Sequence, residues 1–337
     1  MNDHVGLNPF PLMLFACGAD QTFAKQVSEK MKINLEETVD KDFSDADFLY
    51  YQKETIRDRN LFVICQPQRG EKKYKDIMEC ISFVSSLRQG SPKSWITVVM
   101  PYLPFSRQDK PSNLREPVLA QLIPILLQSA GANQMVVAKL HNPASKTVYP
   151  LIKMEDVDTT DIMLKYIKDK NPDLSNIMLA APDVGATKSV RAVAKILGLP
   201  IVIVDKDRSA KVANEAEVME VIGDPSGHDI ILLDDIADTG TTLKKGAAAL
   251  RQRGAKKIHG MFTHAVLSGN AIENLKEAGF ESIVFTNTCP IDQAETKQLP
   301  NCTILDVSKL IGQTIANLHN GDSIESLWQE NGKAKSN

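Results

Sequence analysis

An α/β fold built on parallel sheets is what this sequence predicts. Short aliphatic runs alternate with helix-like stretches along the chain, the order that parallel strands joined by helical crossovers require. The runs are too numerous for one ordinary sheet, which asks for two sheets and two domains. A third observation is local. In Ile230–Thr242 an aliphatic run leads into two adjacent acids, then a hydroxyl-rich turn, then a helical pattern.

Taken in order, Leu12–Ala16 is a continuous apolar run, the pattern of a strand buried on both faces, and Thr22–Met31 has helical periodicity. Leu61–Cys65 and Ile96–Met100 are the next strands, Pro117–Gln128 the next helix, and Met135–Leu140 the strand after it. Pro150 and a charged stretch interrupt the pattern near residues 149–160, so the domain boundary is expected there. Beyond it, strands Ile177–Ala181, Ile201–Val204, Ile230–Leu233, Ile258–Phe262 and Ser282–Phe285 are interleaved with helices Lys188–Leu197 and Leu243–Arg253. Gly254 suits the C-terminal cap of the last of these helices. The polar tail 331–337 is expected to be disordered.

The 337 residues suffice for two domains of ordinary size. A net charge of −3 gives no reason to expect nonspecific nucleic-acid binding. No apolar run has the length of a membrane span and no secretory pattern opens the chain. The five cysteines are scattered without a Cys-x-x-Cys pair, and Cys17 and Cys65 end apolar runs, so core packing in a reduced, cytoplasmic protein is the expectation.

The stretch around Asp234 is the most telling. A strand, a short loop and a helix start make an anion site, because free backbone N–H groups and the helix dipole both face the loop. The loop residues Asp238, Thr239, Gly240, Thr241 and Thr242 suit a phosphate. Asp234 and Asp235 cannot bind phosphate, but they suit ribose hydroxyls and a nearby metal ion. A loop with both surfaces is built for a sugar phosphate.

Further segments give the family resemblance. They are Pro101–Lys110 with Arg115-Glu116-Pro117, Leu140-His141, Ala181–Ala186, and Asp205–Arg208 with Asn214 and Glu217-Val218-Met219 downstream. In order and spacing, together with Phe43-Ser44-Asp45, Thr263-His264 and Ser268-Gly269-Asn270, the chain resembles the ribose-phosphate diphosphokinases, or phosphoribosyl pyrophosphate synthetases, from about Leu14 to Trp328. The resemblance implies two tandem phosphoribosyltransferase-type domains, each with a mainly parallel central sheet flanked by helices, at 1–155 and 156–330. It implies Mg2+-dependent transfer of the β,γ-diphosphate of ATP to the C1 hydroxyl of ribose 5-phosphate. It also implies self-association as a dimer or hexamer, with the ATP site shared between subunits.

By the same resemblance, Phe43, Asp45, Arg107, Gln108, Asp109 and His141 contact ATP, and His141 and Asp183 hold magnesium. Asp234, Asp235 and Asp238–Thr242 hold the ribose phosphate. Lys206 and Arg208, on a loop that closes over ATP, neutralise the transferring diphosphate. Arg is apt for a polyphosphate, being always charged and bidentate.

The chain departs from the family pattern at several points. Lys139 stands where family members carry Asp, two residues before His141; on a continuing strand it would share a face with that histidine. Gly185-Ala186 replaces Gly-Gly, Asp45-Ala46-Asp47 replaces Asp-Gly-Glu, and Asp238–Thr242 replaces Asp-Thr-Ala-Gly-Thr. Segments 67–75 and 142–158 match poorly. Two alternatives therefore stand beside ribose 5-phosphate: the same chemistry on a larger 5-phosphorylated ribose such as ADP-ribose, and a non-catalytic regulatory homologue.

Overall fold

The computed structural model describes residues 10–45, 47–111, 113–148, 152–206 and 219–327. The chain divides into two compact α/β units. The first runs through Asp158 and takes in Thr288–Pro290 and the chain from Val307; the second comprises Thr159–Asn287 and Ile291–Asp306.

The first unit contains β1 (Leu12–Cys17), α1 (Thr22–Met31), β2 (Thr38–Asp42), β3 (Phe48–Gln52), β4 (Asn60–Cys65), α2 (Lys72–Gly90), β5 (Trp95–Val99), α3 (Leu122–Ala130), β6 (Gln134–Ala138) and β7 (Lys153–Val157). Its main sheet has the order β1-β4-β5-β6-β7, parallel throughout. All six residues of β4 are buried, which is why Leu61–Cys65 is a continuous apolar run in the sequence. Phe83 of α2 packs edge-on against Phe15 and Tyr50 at centroid distances of 5.4 and 4.9 Å, seating the helix on the sheet.

The second unit contains α4 (Thr160–Lys170), β8 (Ile177–Ala181), α5 (Thr187–Leu197), β9 (Ile201–Lys206), β10 (Met219–Ile222), β11 (Asp229–Ala237), α6 (Thr241–Gln252), β12 (Ile258–Ala265), α7 (Ala271–Glu277), β13 (Ser282–Thr286), α8 (Gln293–Thr296) and β14 (Cys302–Leu305). The sheet order is β10-β9-β8-β11-β12-β13-β14, with β10 antiparallel to β9 and every other pair parallel. Side chains of β11 divide between two apolar layers. Ile230 and Leu232 join one cluster and Ile231 and Leu233 the other. A sheet covered on both faces explains why the sequence shows unbroken rather than alternating apolar residues.

The last helix, α9 (Ser308–Asn320), belongs with the first unit and lies along α1. A Cβ on Gly312 would stand 2.8 Å from Met31 Cγ, so glycine is what lets the two helices approach. Asn60 and His319 meet at 3.1 Å beside this contact.

The structure departs from the sequence expectations in several places. The hairpin β2–β3, the edge strands β7, β10 and β14, and helix α9's return are additions. The boundary expected at 155/156 falls inside β7; the units part after Asp158. The helix expected over Pro117–Gln128 begins only at Leu122, after a 3-10 turn at Leu119–Gln121. Pro124 then sits in its first turn, where a missing N–H costs nothing. The run expected to continue as a strand to Leu140 ends at Ala138, where Lys139 turns left-handed at φ 50°. Cys17 and Cys65 are buried, as expected, and none of the five cysteines forms a disulfide. Among the described residues no helix is long and apolar enough to cross a membrane. The tail 331–337 lies outside the described residues.

Candidate active site

In the second unit, chain order reverses direction between two neighbouring strands. From β8 the chain moves outward to β9 and β10, then returns to β11 on the other side of β8. In open α/β sheets the crevice outside the carboxyl ends of such a strand pair is the usual ligand site. Here the crevice has a structural cause. Pairing of β11 with β8 is last seen at Leu232 with Ala180, whereas pairing with β12 runs on to Ala237 with Ala265. Past Leu233 one edge of β11 is therefore released from β8 while the other stays paired with β12.

Every ribose-phosphate residue expected from the sequence lies along this rim. Asp234 and Asp235 are in β11 itself, not in a turn after it, because the strand extends to Ala237. The Asp235 amide donates to Asp234 Oδ1 at 2.9 Å. Burial, with repulsion from Asp235 and from Asp183, holds the Asp234 carboxyl well above the usual carboxylate range. Asp183 is thus electrostatically part of the same crevice. It follows β8, and its Oδ1 accepts from the Ala186 amide at 2.8 Å at the start of α5. Replacing Gly by Ala at 186 leaves this hydrogen bond in place, since it uses the backbone.

The loop after β11 ends at Gly240, which is left-handed at φ 74° and caps α6 without any side-chain cap. The first amides of α6 are therefore available to a ligand. Two residues outside the expected set of site residues support this loop. Asn274 Nδ2 of α7 donates to Thr239 O at 2.8 Å and to Thr241 Oγ1 at 3.4 Å. A Cβ on Gly240 would stand 3.1 Å from Asn274 Cβ and 3.3 Å from Ala271 O. The Ser268 hydroxyl donates to Asp238 Oδ1. Ser268 falls in a segment already noted for its resemblance, but Asn274 had no signal: an Asn in a short helix becomes meaningful only when α7 is seen beside the loop.

Lys206, expected in a loop just past a strand ending at Val204, is instead the last residue of β9. Arg208 and the rest of segment 207–218 lie outside the described residues.

The residues expected to contact ATP are in the first unit. Arg107, Gln108 and Asp109 occupy the loop after β5, and His141 the loop after β6. Asn142 Nδ2 donates to Asp109 Oδ2 at 2.6 Å, which joins these two loops at the carboxyl end of the sheet. The Gln108 amide is fixed by Phe105 O at 2.8 Å, and Phe105, left-handed at φ 67°, stacks on Tyr74 at 6.4 Å. Arg107 and His141 are exposed. Phe43 and Asp45 sit at the tip of the β2–β3 hairpin. Phe43 is 42% exposed with Lys41 Nζ 4.9 Å from its ring centre, and Asp45 Oδ1 accepts from the Asp47 amide at 3.2 Å. The expected metal ligands His141 and Asp183 fall in different units.

Lys139 does not share a strand face with His141, because the strand stops before it. Its amide donates to Val157 O at 2.9 Å, and its Nζ lies 3.2 Å from Asp158 Oδ1. The next amide, of Leu140, donates to Asp156 Oδ1 at 2.8 Å. Edge strand β7 and the residue after it thus hold the turn that leads to His141, and Asp158 takes up the lysine charge. Of the two motives for a larger acceptor, the charge of Lys139 is thus paired within the chain.

Comparison with known proteins agrees with this geometry. Residues 12–131 match the model of the N-terminal domain of ribose phosphate pyrophosphokinase, and residues 204–329 that of the phosphoribosyl synthetase-associated domain. The ribose-phosphate pyrophosphokinase of Campylobacter jejuni is 35% identical over 318 residues, covering 94% of this chain and 98% of that protein. The one from Corynebacterium efficiens is 34% identical over 330 residues, covering 98% and 99%. The crystal structure of phosphoribosylpyrophosphate synthetase from Mycobacterium smegmatis superimposes with a TM-score of 0.84 at 29% identity, covering 92% of this chain and 99% of that one. With its crevice at the β8–β11 switch point, its uncapped loop and these full-length relatives, the chain belongs to the ribose-phosphate pyrophosphokinase family.

Proposed function

We propose that the chain transfers the β,γ-diphosphate of ATP to the C1 hydroxyl of ribose 5-phosphate, producing phosphoribosyl pyrophosphate and AMP. The observation that carries this reading is an adjacent carboxylate pair, Asp234 and Asp235, followed by an uncapped helix start at one switch point. The two surfaces match the two ends of a pentose phosphate. Amides and hydroxyls of Asp238–Thr242 bind the 5-phosphate, while Asp234 and Asp235 accept from the ribose hydroxyls.

The donor set fits Mg2+. It is rich in carboxylate oxygen, and the repulsion of Asp234 by Asp235 and Asp183 is what a divalent cation would relieve. Bound there, or at His141 beside ATP, magnesium would offset charge on the phosphate oxygens. The protein's own part is positioning and electrostatics, since diphosphoryl transfer asks for little covalent chemistry. Arg107, Gln108 and Asp109 orient ATP, with Phe43 and Asp45 reaching the adenine of a neighbouring subunit. Lys206 and Arg208 neutralise the migrating diphosphate and help exclude water, which competes with the sugar hydroxyl. On this reading the chain carries two phosphoribosyltransferase-type domains in tandem and works as a homo-oligomer.

The test is product identification by mass after incubation with ATP, Mg2+ and either ribose 5-phosphate or ADP-ribose. AMP and phosphoribosyl pyrophosphate from ribose 5-phosphate are expected. Folded protein that releases AMP with neither sugar, or only with ADP-ribose, overturns the proposal.

A further inference from the structure

Away from the candidate site, three carboxylates face one another where β2 meets α2. Asp40 and Asp42, two apart on β2, share a face. Glu79 comes from α2. One oxygen from each residue lies within 4.8 Å of the other two, and among the described residues no other trio of His, Cys, Asp or Glu comes as close. Lys75, one helical turn before Glu79, reaches Asp42 at 2.6 Å and Glu79 Oε1 at 3.4 Å. One ammonium against three carboxylates leaves negative charge in excess.

A second observation is independent of that clustering. The Glu79 side chain is 2% exposed, and its Oε2 has no hydrogen-bond partner. A buried carboxylate oxygen left unpaired is costly, and in native proteins such an atom calls for an ion, a proton or a water. A proton would answer Glu79 alone and leave Asp40 beside Asp42. A cation answers all three at once. Burial, then the charge of Asp40, raises the Glu79 carboxyl above its ordinary range, consistent with an environment short of positive charge.

We propose that Asp40, Asp42 and Glu79 form a binding site for a hard divalent cation, separate from the candidate active site. Donors that are all oxygen select Mg2+, Ca2+ or Mn2+ over thiophilic metals. The exposed aspartates leave room for water to complete the coordination shell. Lys75 stays on Asp42 or swings out to solvent, its side chain being half exposed. Such an ion would tie the β2–β3 hairpin to α2 and so steady the tip that carries Phe43 and Asp45.

Mn2+ titration of the full chain, followed by electron paramagnetic resonance without nucleotide or sugar, tests this. A background variant, Asp183→Asn, Asp234→Asn and Asp235→Asn with His141→Ala, removes every magnesium ligand proposed for the active site. That variant should still bind one Mn2+, and adding Glu79→Gln should weaken this binding at least about tenfold, the loss that even an outer-shell partner of a metal site typically causes. Mn2+ at about 100 times its dissociation constant should raise Tm by roughly 5–10 °C in the background protein and not in the Glu79→Gln variant. If the Glu79→Gln protein fails to fold, Asp42→Asn, at an exposed position, carries the same comparison. No Mn2+ bound by the background variant, or equal binding after Glu79→Gln or Asp42→Asn, overturns the proposal.

Discussion

Replacing Asn274 with alanine isolates the support of the phosphate loop from the loop itself. The amide makes one good hydrogen bond, 2.8 Å to Thr239 O, and one long contact, 3.4 Å to Thr241 Oγ1. The long contact contributes little at that distance. One sound hydrogen bond is worth about 1 kcal/mol net, a factor of roughly 5 in an equilibrium. Alanine is also a better helix former than asparagine, so α7 itself should not suffer. The loss should fall on the order of the loop, and therefore on sugar-phosphate binding. Steady-state assays should show KM for ribose 5-phosphate raised about 5-fold and kcat nearly unchanged, the signature of binding lost equally from ground and transition states. Tm should move by no more than about 2–4 °C, the effect of roughly 1 kcal/mol in a domain of this size. An unchanged KM, or a drop in kcat alone, would refute the idea that α7 buttresses the loop.

The remaining predictions follow from the same geometry. Asp234→Asn should abolish turnover yet raise the Tm of the cation-free protein, by an amount on the order of 1 kcal/mol, because it removes a buried charge that burial and Asp235 both oppose. The sign with pH agrees. A carboxyl raised in the fold binds more protons there than in the unfolded chain, so its contribution to stability falls as pH rises from the unfolded value through the raised one; calorimetry of wild type against Asp234→Asn without divalent cation should show a pH slope that the variant lacks. Asn142→Ala should cut the 2.6 Å link to Asp109 and raise KM for ATP several-fold, about the worth of a hydrogen bond to a charged group, with KM for ribose 5-phosphate unmoved. Lys206→Ala should lower kcat by about 100-fold or more with little change in either KM, if it acts on charge present mainly in the transition state; near-normal turnover in the same assay would remove it from the mechanism.

Much of the site could be read in the chain because it is local. A strand, two acids, a hydroxyl turn and a helix are consecutive, so Asp234–Thr242 announces its chemistry before any folding is considered. The buried strands were equally plain, since two-sided burial writes continuous apolar residues such as Ile230–Leu233. Strands β2 and β7 were not, for they lie in a small hairpin or at an edge and carry polar side chains that solvent permits, and β14 is an edge strand of only four residues. Lys139 is the sharpest case. Its spacing from His141 suggests a shared face, but the strand ends at Ala138 and the lysine turns toward Asp158.

By itself, then, the sequence determined the α/β class, the number of buried strands and the chemical character of each loop, because each depends on neighbours a few residues apart. The tertiary structure alone decided what came from distant residues. It brought Asp183 within electrostatic reach of Asp234, set Asn274 behind Gly240, returned α9 to the first unit, and paired Lys139 with Asp158. Strand order and the end point of a ladder cause these meetings, and both are settled by the packing of whole layers rather than by any local pattern.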